Sequence, residues 1–162
     1  MGSRSAAADR IKQPNSRTCF VCGMENDHGF RLSFYEISAD AVESMATIPE
    51  HFQGYPGVAH GGIVTALLDE IAVRAATVGE PEHLMLTARM EVRFRKAVPV
   101  GEPLRLLGTL IERKPRATRA RGEIILPDGS LGAEGEVMLV DHPASGMTPE
   151  TLAALGWRVV PD

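Results

Sequence analysis

One segment of the chain is apolar on nearly every side, and it predicts the central element of the fold. Residues 60–78 carry apolar side chains through Ile63, Leu67, Ile71 and Ala75 and also at positions between them. A helix of this kind is buried over most of its surface rather than along one stripe. Gly79 and Pro81 follow as stop signals. The pattern therefore predicts one long, buried helix.

Elsewhere apolar and polar residues alternate, which is typical of strands with one buried face. Strands are predicted near 31–37, 41–48, 84–96, 103–113, 117–126 and 131–141. The Pro127-Asp128-Gly129-Ser130 turn joins the last two as a hairpin. Five or six antiparallel strands with one main helix predict an α+β fold, a curved sheet wrapped around a long central helix.

The same pattern divides the chain into three parts. Residues 1–17 are small and polar without periodicity, and are expected to form a disordered or loosely attached lead. Residues 18–142 form the predicted domain, which is large enough for a real core. Residues 143–162 form a tail with a short helix, because Thr148 can cap it and Pro149 suits its first position.

Composition narrows the function classes. The 162 residues carry a formal net charge of −4, which argues against a nucleic-acid-binding surface. No apolar run approaches the ~20 residues of a membrane span, and the N-terminus lacks the apolar core of a signal peptide. A cytoplasmic setting is the expectation.

Candidate chemistry begins where a Pro/Gly-rich turn enters the predicted helix through His60-Gly61-Gly62. Glycines there let a ligand approach the backbone, where free N–H groups and the helix dipole favour negative charge. Taken singly, such glycines are also typical of packing or capping, and His60 is typical of a cap.

Asp69 lies two turns further along the helix, among apolar residues where a carboxylate is costly unless it has a partner or a task. Arg74 is better placed for Glu70, four residues before it, than for Asp69. A donor for an oxyanion together with a carboxylate are the minimal parts for hydrolysing an acyl group. The combination indicates a site more strongly than either part alone.

Spacing along the helix predicts how this site is assembled. Eight residues separate Gly61 from Asp69, which is about 12 Å at ~1.5 Å per residue. Reacting atoms must lie within roughly 3–3.5 Å of their catalytic groups. One substrate carbonyl therefore cannot reach both on the same helix, so the chemistry predicts an obligate two-fold homodimer with sites at the interface. A dimer of dimers is left open.

These residues resemble the hotdog-fold acyl-CoA thioesterases, in particular the phenylacetyl-CoA (PaaI-like) group. The resemblance covers about residues 19–140. It is carried by His60-Gly61-Gly62 with an acid nine positions after the histidine, and by three further stretches: Cys19-Phe20-Val21-Cys22-Gly23, Gly54-Tyr55-Pro56-Gly57, and residues 87–96 followed by Pro99-Val100-Gly101-Glu102.

The resemblance implies a role for each matched position. Gly61 would polarise the thioester carbonyl through its N–H, and Gly62 would permit close approach. Asp69 of the partner chain would act as general base on water or as nucleophile. Thr87 matches a Ser or Thr that helps hold water, although strict alternation places it on the charged face unless the strand bulges. Gln53 is the nearest amide to an Asn found in relatives, about one residue out of register, and His60 completes the catalytic set.

Substrate recognition is predicted from the surrounding residues. Phe52 and Tyr55 suit a small aromatic or medium acyl group. Arg93, Arg95 and Lys96 are candidates for the phosphates of coenzyme A; the alternative is a solvated strand face paired with acids such as Glu91. Coenzyme A enters as part of the substrate, with no separate cofactor and no metal in the chemistry.

Two other functions were weighed against hydrolysis. A non-catalytic acyl-CoA-binding module or regulator of the same fold is the main alternative, although a pure binder would have little reason to bury Asp69. A hotdog hydratase or dehydratase would need an Asp/His pair on the helix and its entry loop.

The Cys19-x-x-Cys22 pair is a separate feature. With His28 it supplies three of the four ligands of a structural zinc, and His51 is a conceivable fourth. A redox pair usually opens a helix in a βαβ unit, which the pattern here lacks. Two reduced thiols packing a loop is the favoured interpretation.

Overall fold

The computed structural model describes residues 10–143 and 145–162. In these ranges the chain forms seven strands, one long helix, one short helix and a 3₁₀ turn at Glu50–Phe52. Their bounds are β1 Ile11–Lys12, β2 Tyr35–Glu36, β3 Ala41–Thr47, α1 Gly61–Ala76, β4 Met85–Phe94, β5 Pro103–Lys114, β6 Ala117–Ile125, β7 Leu131–Asp141 and α2 Pro149–Ala154.

The strands form one antiparallel sheet in the order β1-β2-β3-β5-β6-β7-β4. α1 packs against β3, β4, β5, β6 and β7, and its buried side chains fill the core with those of the sheet. The predicted α+β architecture, a curved antiparallel sheet around one long helix, is confirmed. β4 crosses over to pair with β7 and forms one edge of the sheet.

Two glycines allow α1 to lie unusually close to the sheet. A Cβ atom at Gly108 of β5 would lie 2.2 Å from the carbonyl oxygen of Ile71, and one at Gly122 of β6 would lie 2.5 Å from that of Leu68. Any side chain at these positions would push the helix away. The close contact between α1 and the sheet therefore depends on the absence of a side chain at both glycines.

Residues 10–17 correct the predicted lead. Ile11 and Lys12 pair with β2, and Gln13 and Asn15 are 2% and 1% exposed. The buried Asn15 amide donates to the carbonyl oxygens of Cys22 and Leu32, both at 2.8 Å. This segment is buried through polar side chains that hydrogen-bond to backbone carbonyl groups. Such residues do not produce an apolar pattern, so the sequence pattern did not predict that the segment is buried. Residues 1–9 of the predicted lead lie outside the described ranges.

Other predicted elements differ mainly in length. The strand predicted over 31–37 is reduced to β2, while the hairpin turn closes through Leu126 N–H to Ser130 O at 2.8 Å, with Gly129 at φ 83°. α2 begins after Thr148, whose hydroxyl accepts the N–H of Thr151 as the sequence predicts. In the described part of the chain, no helix has the length and apolar character needed to cross a membrane.

Replacing Gly108 with alanine tests the close approach of α1. We expect Gly108→Ala to lower the free energy of unfolding by about 1–3 kcal/mol, because the added methyl group overlaps a helix carbonyl that cannot move alone. Gly54→Ala is the matched control, since its Cβ would meet nothing nearer than 3.5 Å, and it should change stability by less than about 1 kcal/mol. Urea denaturation measures both; equal effects would contradict the packing argument.

Candidate active site

The turn before α1 is held by its own side chains. The Gln53 carbonyl Oε1 accepts the N–H of Gly57 at 3.0 Å, and Gln53 also bridges to Ala59. Gly57 has φ 79°, a conformation that favours glycine. The structure thus places Gln53 in the turn that delivers the chain to α1.

His60 is the N-cap of α1. Its Nδ1 accepts the N–H of Gly62 at 3.0 Å, so a neutral His60 carries its proton on Nε2. The N–H of Gly61 has no acceptor within residues 10–143 and 145–162. This exposed donor lies at the first residue of the helix, where the dipole favours an anion or an oxyanion.

Asp69 is partly buried and bonded to the sheet. The Thr87 hydroxyl donates to Asp69 Oδ1 at 2.6 Å. The β4–β7 register shifts between Thr87 and Arg89, and this irregularity is the condition under which a residue of the charged face reaches the helix side. The bulge that the alternation pattern required for Thr87 to reach Asp69 is therefore present.

The pKa of Asp69 is raised above its ordinary value. Burial is the largest cause, the hydrogen bond from Thr87 opposes it, and the nearby Glu70 carboxylate raises the pKa further. Glu70 itself pairs with the buried Arg74, whose Nε lies 2.9 Å from Glu70 Oε1, as the i,i+4 spacing indicates. Among residues 10–143 and 145–162, Asp69 therefore has a hydroxyl partner and no paired cation, which favours a role as a proton acceptor.

Gly61 and Asp69 remain apart within one protomer. Gly61 and Asp69 are separated by about 12 Å of helix rise. Each has its own neighbour on β4. A Cβ at Gly61 would lie 3.5 Å from Cζ of Phe94, at the C-terminal end of β4, whereas Asp69 contacts Thr87 near the N-terminal end. One chain does not bring the two groups to one carbonyl.

The predicted substrate-binding residues have different surroundings. Phe52 packs with Phe20 and Phe30 at ring-centroid distances of 5.6 and 5.3 Å, and so belongs to an aromatic cluster of the core. Tyr55 is 83% exposed in the turn before α1. The structure does not bring these two rings together in a single pocket wall.

The predicted basic residues are exposed, Arg93 within β4 and Arg95 and Lys96 directly after its end. Arg93 pairs with Glu91 at 3.2 Å, and Arg95 pairs with Glu134. Lys96 is exposed and follows them directly. Arg93 also lines a charged groove of about 490 Å³ that includes neither Gly61 nor Asp69. Arg93 and Arg95 therefore form the ion pairs with acidic residues that the sequence analysis gave as the alternative to phosphate binding.

Phe94 is a site residue that the sequence did not single out. It is 56% exposed despite belonging to the apolar side of β4, and it lies beside Gly61. Leu86 on the same strand is 46% exposed. The signal available from the sequence was only alternation, which assigned both residues to the core.

Comparison with known proteins identifies the class. Residues 56–133 match the family model of the thioesterase superfamily. A thioesterase superfamily protein of known crystal structure is 30% identical, with a TM-score of 0.71 over 76% of this chain and 63% of its own. The segment that holds the turn, α1 and most of the sheet is thus similar to the thioesterase superfamily, and its fold is the hotdog fold.

Two further relatives define the range of similarity. Acyl-coenzyme A thioesterase THEM4 of Rattus norvegicus is 26% identical over 82 residues, which are 50% of this chain and 34% of the rat protein. The chain therefore matches about a third of the length of this curated relative. Thioesterase superfamily member 2 of zebra fish is 18% identical, with a TM-score of 0.64 over 74% of this chain and 91% of its own, and shows the shared fold.

Removing the charge of Asp69 tests its desolvation. Because its folded-state pKa is raised, the native state binds the proton more tightly than the unfolded chain, and stability falls as pH rises from about 3.9 through the raised value. We expect Asp69→Asn to unfold at higher urea than wild type at about pH 7, with the difference shrinking at about pH 3.5. Thr87→Val, which removes the bond to the ionised form, should destabilise at neutral pH. A less stable Asp69→Asn at neutral pH would show that the charge is favourably paired.

Proposed function

We propose that this protein is an acyl-CoA thioesterase of the PaaI-like group, which hydrolyses a thioester to a free acid and coenzyme A. The observation that carries the proposal is the half-buried carboxylate of Asp69, bonded to Thr87 at 2.6 Å, on a helix that begins with the free N–H of Gly61. Two comparisons support it. The rat relative is named an acyl-coenzyme A thioesterase, and a related Streptococcus pneumoniae structure, with a TM-score of 0.61, holds coenzyme A.

The site is proposed to form between two copies of the chain. β4 is an edge strand, and edges of this length pair readily with a second strand. Antiparallel pairing of two β4 strands, about a two-fold axis midway between positions 87 and 94, places each Thr87 opposite Phe94 of the partner subunit. Asp69 then faces Gly61 of the partner subunit. The exposed Leu86 and Phe94 would be covered in the same interface.

The proposed chemistry uses only these groups. The Gly61 N–H polarises the thioester carbonyl and binds the oxyanion as it forms. Asp69 takes a proton from water that attacks the carbonyl carbon, or attacks it directly as nucleophile; both routes need the ionised carboxylate. Thr87 orients the carboxylate. In the base route the C–S bond then breaks, and the proton taken from water passes to the departing sulfur of coenzyme A. In the nucleophile route the C–S bond breaks to release the thiolate of coenzyme A and leaves a mixed anhydride on Asp69; water then hydrolyses this anhydride to the free acid and the Asp69 carboxylate, and its remaining proton neutralises the thiolate.

Recognition of the substrate is proposed at the two sides of Gly61. Tyr55, in the turn before it, is free to cover an acyl group, and Phe52 supports that turn from the core. Beyond Phe94, the exposed cations Arg93, Arg95 and Lys96 are candidates for the phosphates of coenzyme A, with Arg93 and Arg95 exchanging their present ion pairs.

Asp69→Asn tests the activity. We expect kcat for thiol release from a panel of acyl-CoAs (phenylacetyl, hydroxybenzoyl, short and medium straight chains) to fall by roughly 10²–10⁴-fold, because the base is lost. Binding of the ester, measured by calorimetry, should persist. Asp40→Asn, at the exposed β2–β3 turn, is the matched control and should retain wild-type turnover. Binding without turnover in the wild type would favour the acyl-CoA-binding module instead.

Gly61→Pro tests the N–H donor. Proline lacks the N–H but suits the first position of a helix, and His60 at φ −62° and ψ 136° already has the conformation that a following proline requires. We expect kcat to fall by roughly 10²–10³-fold with little loss of stability. Unchanged kcat in a folded variant would exclude Gly61 as the donor.

Mixing the two inactive variants tests the shared site. A heterodimer of Asp69→Asn and Gly61→Pro has one site with both defects and one intact site, if each site uses both chains. Refolding an equal mixture should restore about a quarter of wild-type activity, since about half of the dimers are mixed. No recovery, with mixed dimers verified by differential tagging, would show that each site is contained in one chain.

A further inference from the structure

Cys19 and Cys22 lie beside Glu70 of α1, in a cluster that contains none of the groups assigned to hydrolysis. Both cysteines are free, and Cys22 is buried. Their sulfur atoms and a carboxylate oxygen of Glu70 all lie within 4.8 Å of one another. Glu70 Oε2 is 3.9 Å from Cys19 Sγ. The fold therefore joins the C-x-x-C turn to a carboxylate 48 residues further along the chain.

The C-x-x-C turn has its sulfur atoms arranged as acceptors. Cys19 Sγ accepts the N–H groups of Val21 at 3.3 Å and Cys22 at 3.4 Å, and Cys22 Sγ accepts that of Ser16 at 3.4 Å. Gly23 closes the turn onto the Cys19 carbonyl, where a Cβ would lie 2.4 Å from that oxygen. N–H donors directed at sulfur stabilise the thiolate, which is the form that binds a metal.

The carboxylate of Glu70 is oriented so that one of its oxygen atoms faces the sulfur atoms. Its Oε1 is held by Arg74 Nε at 2.9 Å, and this leaves Oε2 facing the sulfur atoms. Arg74 is in turn fixed by the Pro14 carbonyl at 2.5 Å and by the rings of Phe34 and Trp157. In metal sites a side chain that binds the metal is usually oriented by a hydrogen bond from a second residue, as Arg74 orients Glu70 here.

We propose that Cys19, Cys22 and Glu70 bind one zinc ion, with water as the fourth ligand. Two thiolates and one carboxylate carry three negative charges, which Zn²⁺ and the Arg74 guanidinium balance. Ligands at Zn–S ~2.3 Å and Zn–O ~2.0–2.2 Å in a tetrahedron are about 3.5–3.8 Å from each other. The Cys19 Sγ–Glu70 Oε2 distance of 3.9 Å is close to this value, and the limit of 4.8 Å on the other pairs requires them to contract by no more than about 1 Å.

The donor set favours zinc over a redox pair. Disulfide exchange needs only the two sulfur atoms, whereas the Glu70 carboxylate adds an oxygen ligand beside them, and a cation among the three groups is attracted by all of them. His28, the third ligand that the spacing offered, is not in the cluster, and Glu70 takes that place. The ion would tie the N-terminal segment to α1 next to Asp69, so its role is structural and separate from the proposed hydrolysis.

Metal analysis of the full chain tests the site. Protein produced in zinc-supplemented medium and purified without chelators should contain about one zinc per chain by plasma mass spectrometry. Cys22→Ser and Glu70→Gln should lose most of it, and His28→Gln, the matched control, should keep it. Cobalt-loaded wild type should show thiolate charge-transfer and tetrahedral d–d bands that Cys19→Ser lacks.

Two results would overturn the zinc site. One is a folded wild type without zinc or cobalt bands whose two thiols react freely with a thiol reagent. The other is a Cys19–Cys22 disulfide found by mass spectrometry in the protein as isolated. Because metal content and spectra are read without substrate, failure here leaves the thioesterase proposal standing, and a lack of turnover leaves the zinc site standing.

Discussion

The close contact between α1 and the sheet is the constraint on which the rest of the structure depends. Carbonyl groups of the helix lie where side chains of Gly108 and Gly122 would otherwise be. With the helix at this depth, Asp69 reaches the Thr87 hydroxyl and Gly61 reaches the ring of Phe94. A helix held further out would lose both contacts, so the packing of two glycines positions groups at the start and in the middle of α1.

Neighbouring residues on α1 take separate tasks because they leave the helix in different directions. Asp69 faces β4, where burial raises its pKa and Thr87 limits the rise. Glu70 faces the N-terminal segment, where Arg74 and the two cysteines surround it. Glu70 also raises the pKa of Asp69 through its charge.

The edge position of β4 agrees with the proposal that each chain supplies two half-sites. Its ends carry the neighbours of Asp69 and Gly61, and its exposed Leu86 and Phe94 are apolar on a surface rich in ion pairs. The charged outer face and the apolar edge thus have different functions. The former is paired within the protomer, and the latter is proposed to be covered by a second copy.

The sequence alone predicted the long elements and the chemistry that is proposed for the main site. Uniform apolarity predicted α1, alternation predicted the long strands, and helix rise showed that Gly61 and Asp69 cannot share one carbonyl within a chain. These are short-range properties, fixed by the spacing of residues along one element. Tertiary structure decided the rest: the bulge that turns Thr87 toward Asp69, the buried polar segment 10–17, and Glu70 beside Cys19. Such contacts join residues far apart in the chain through packing and hydrogen bonds, and no periodic pattern records them.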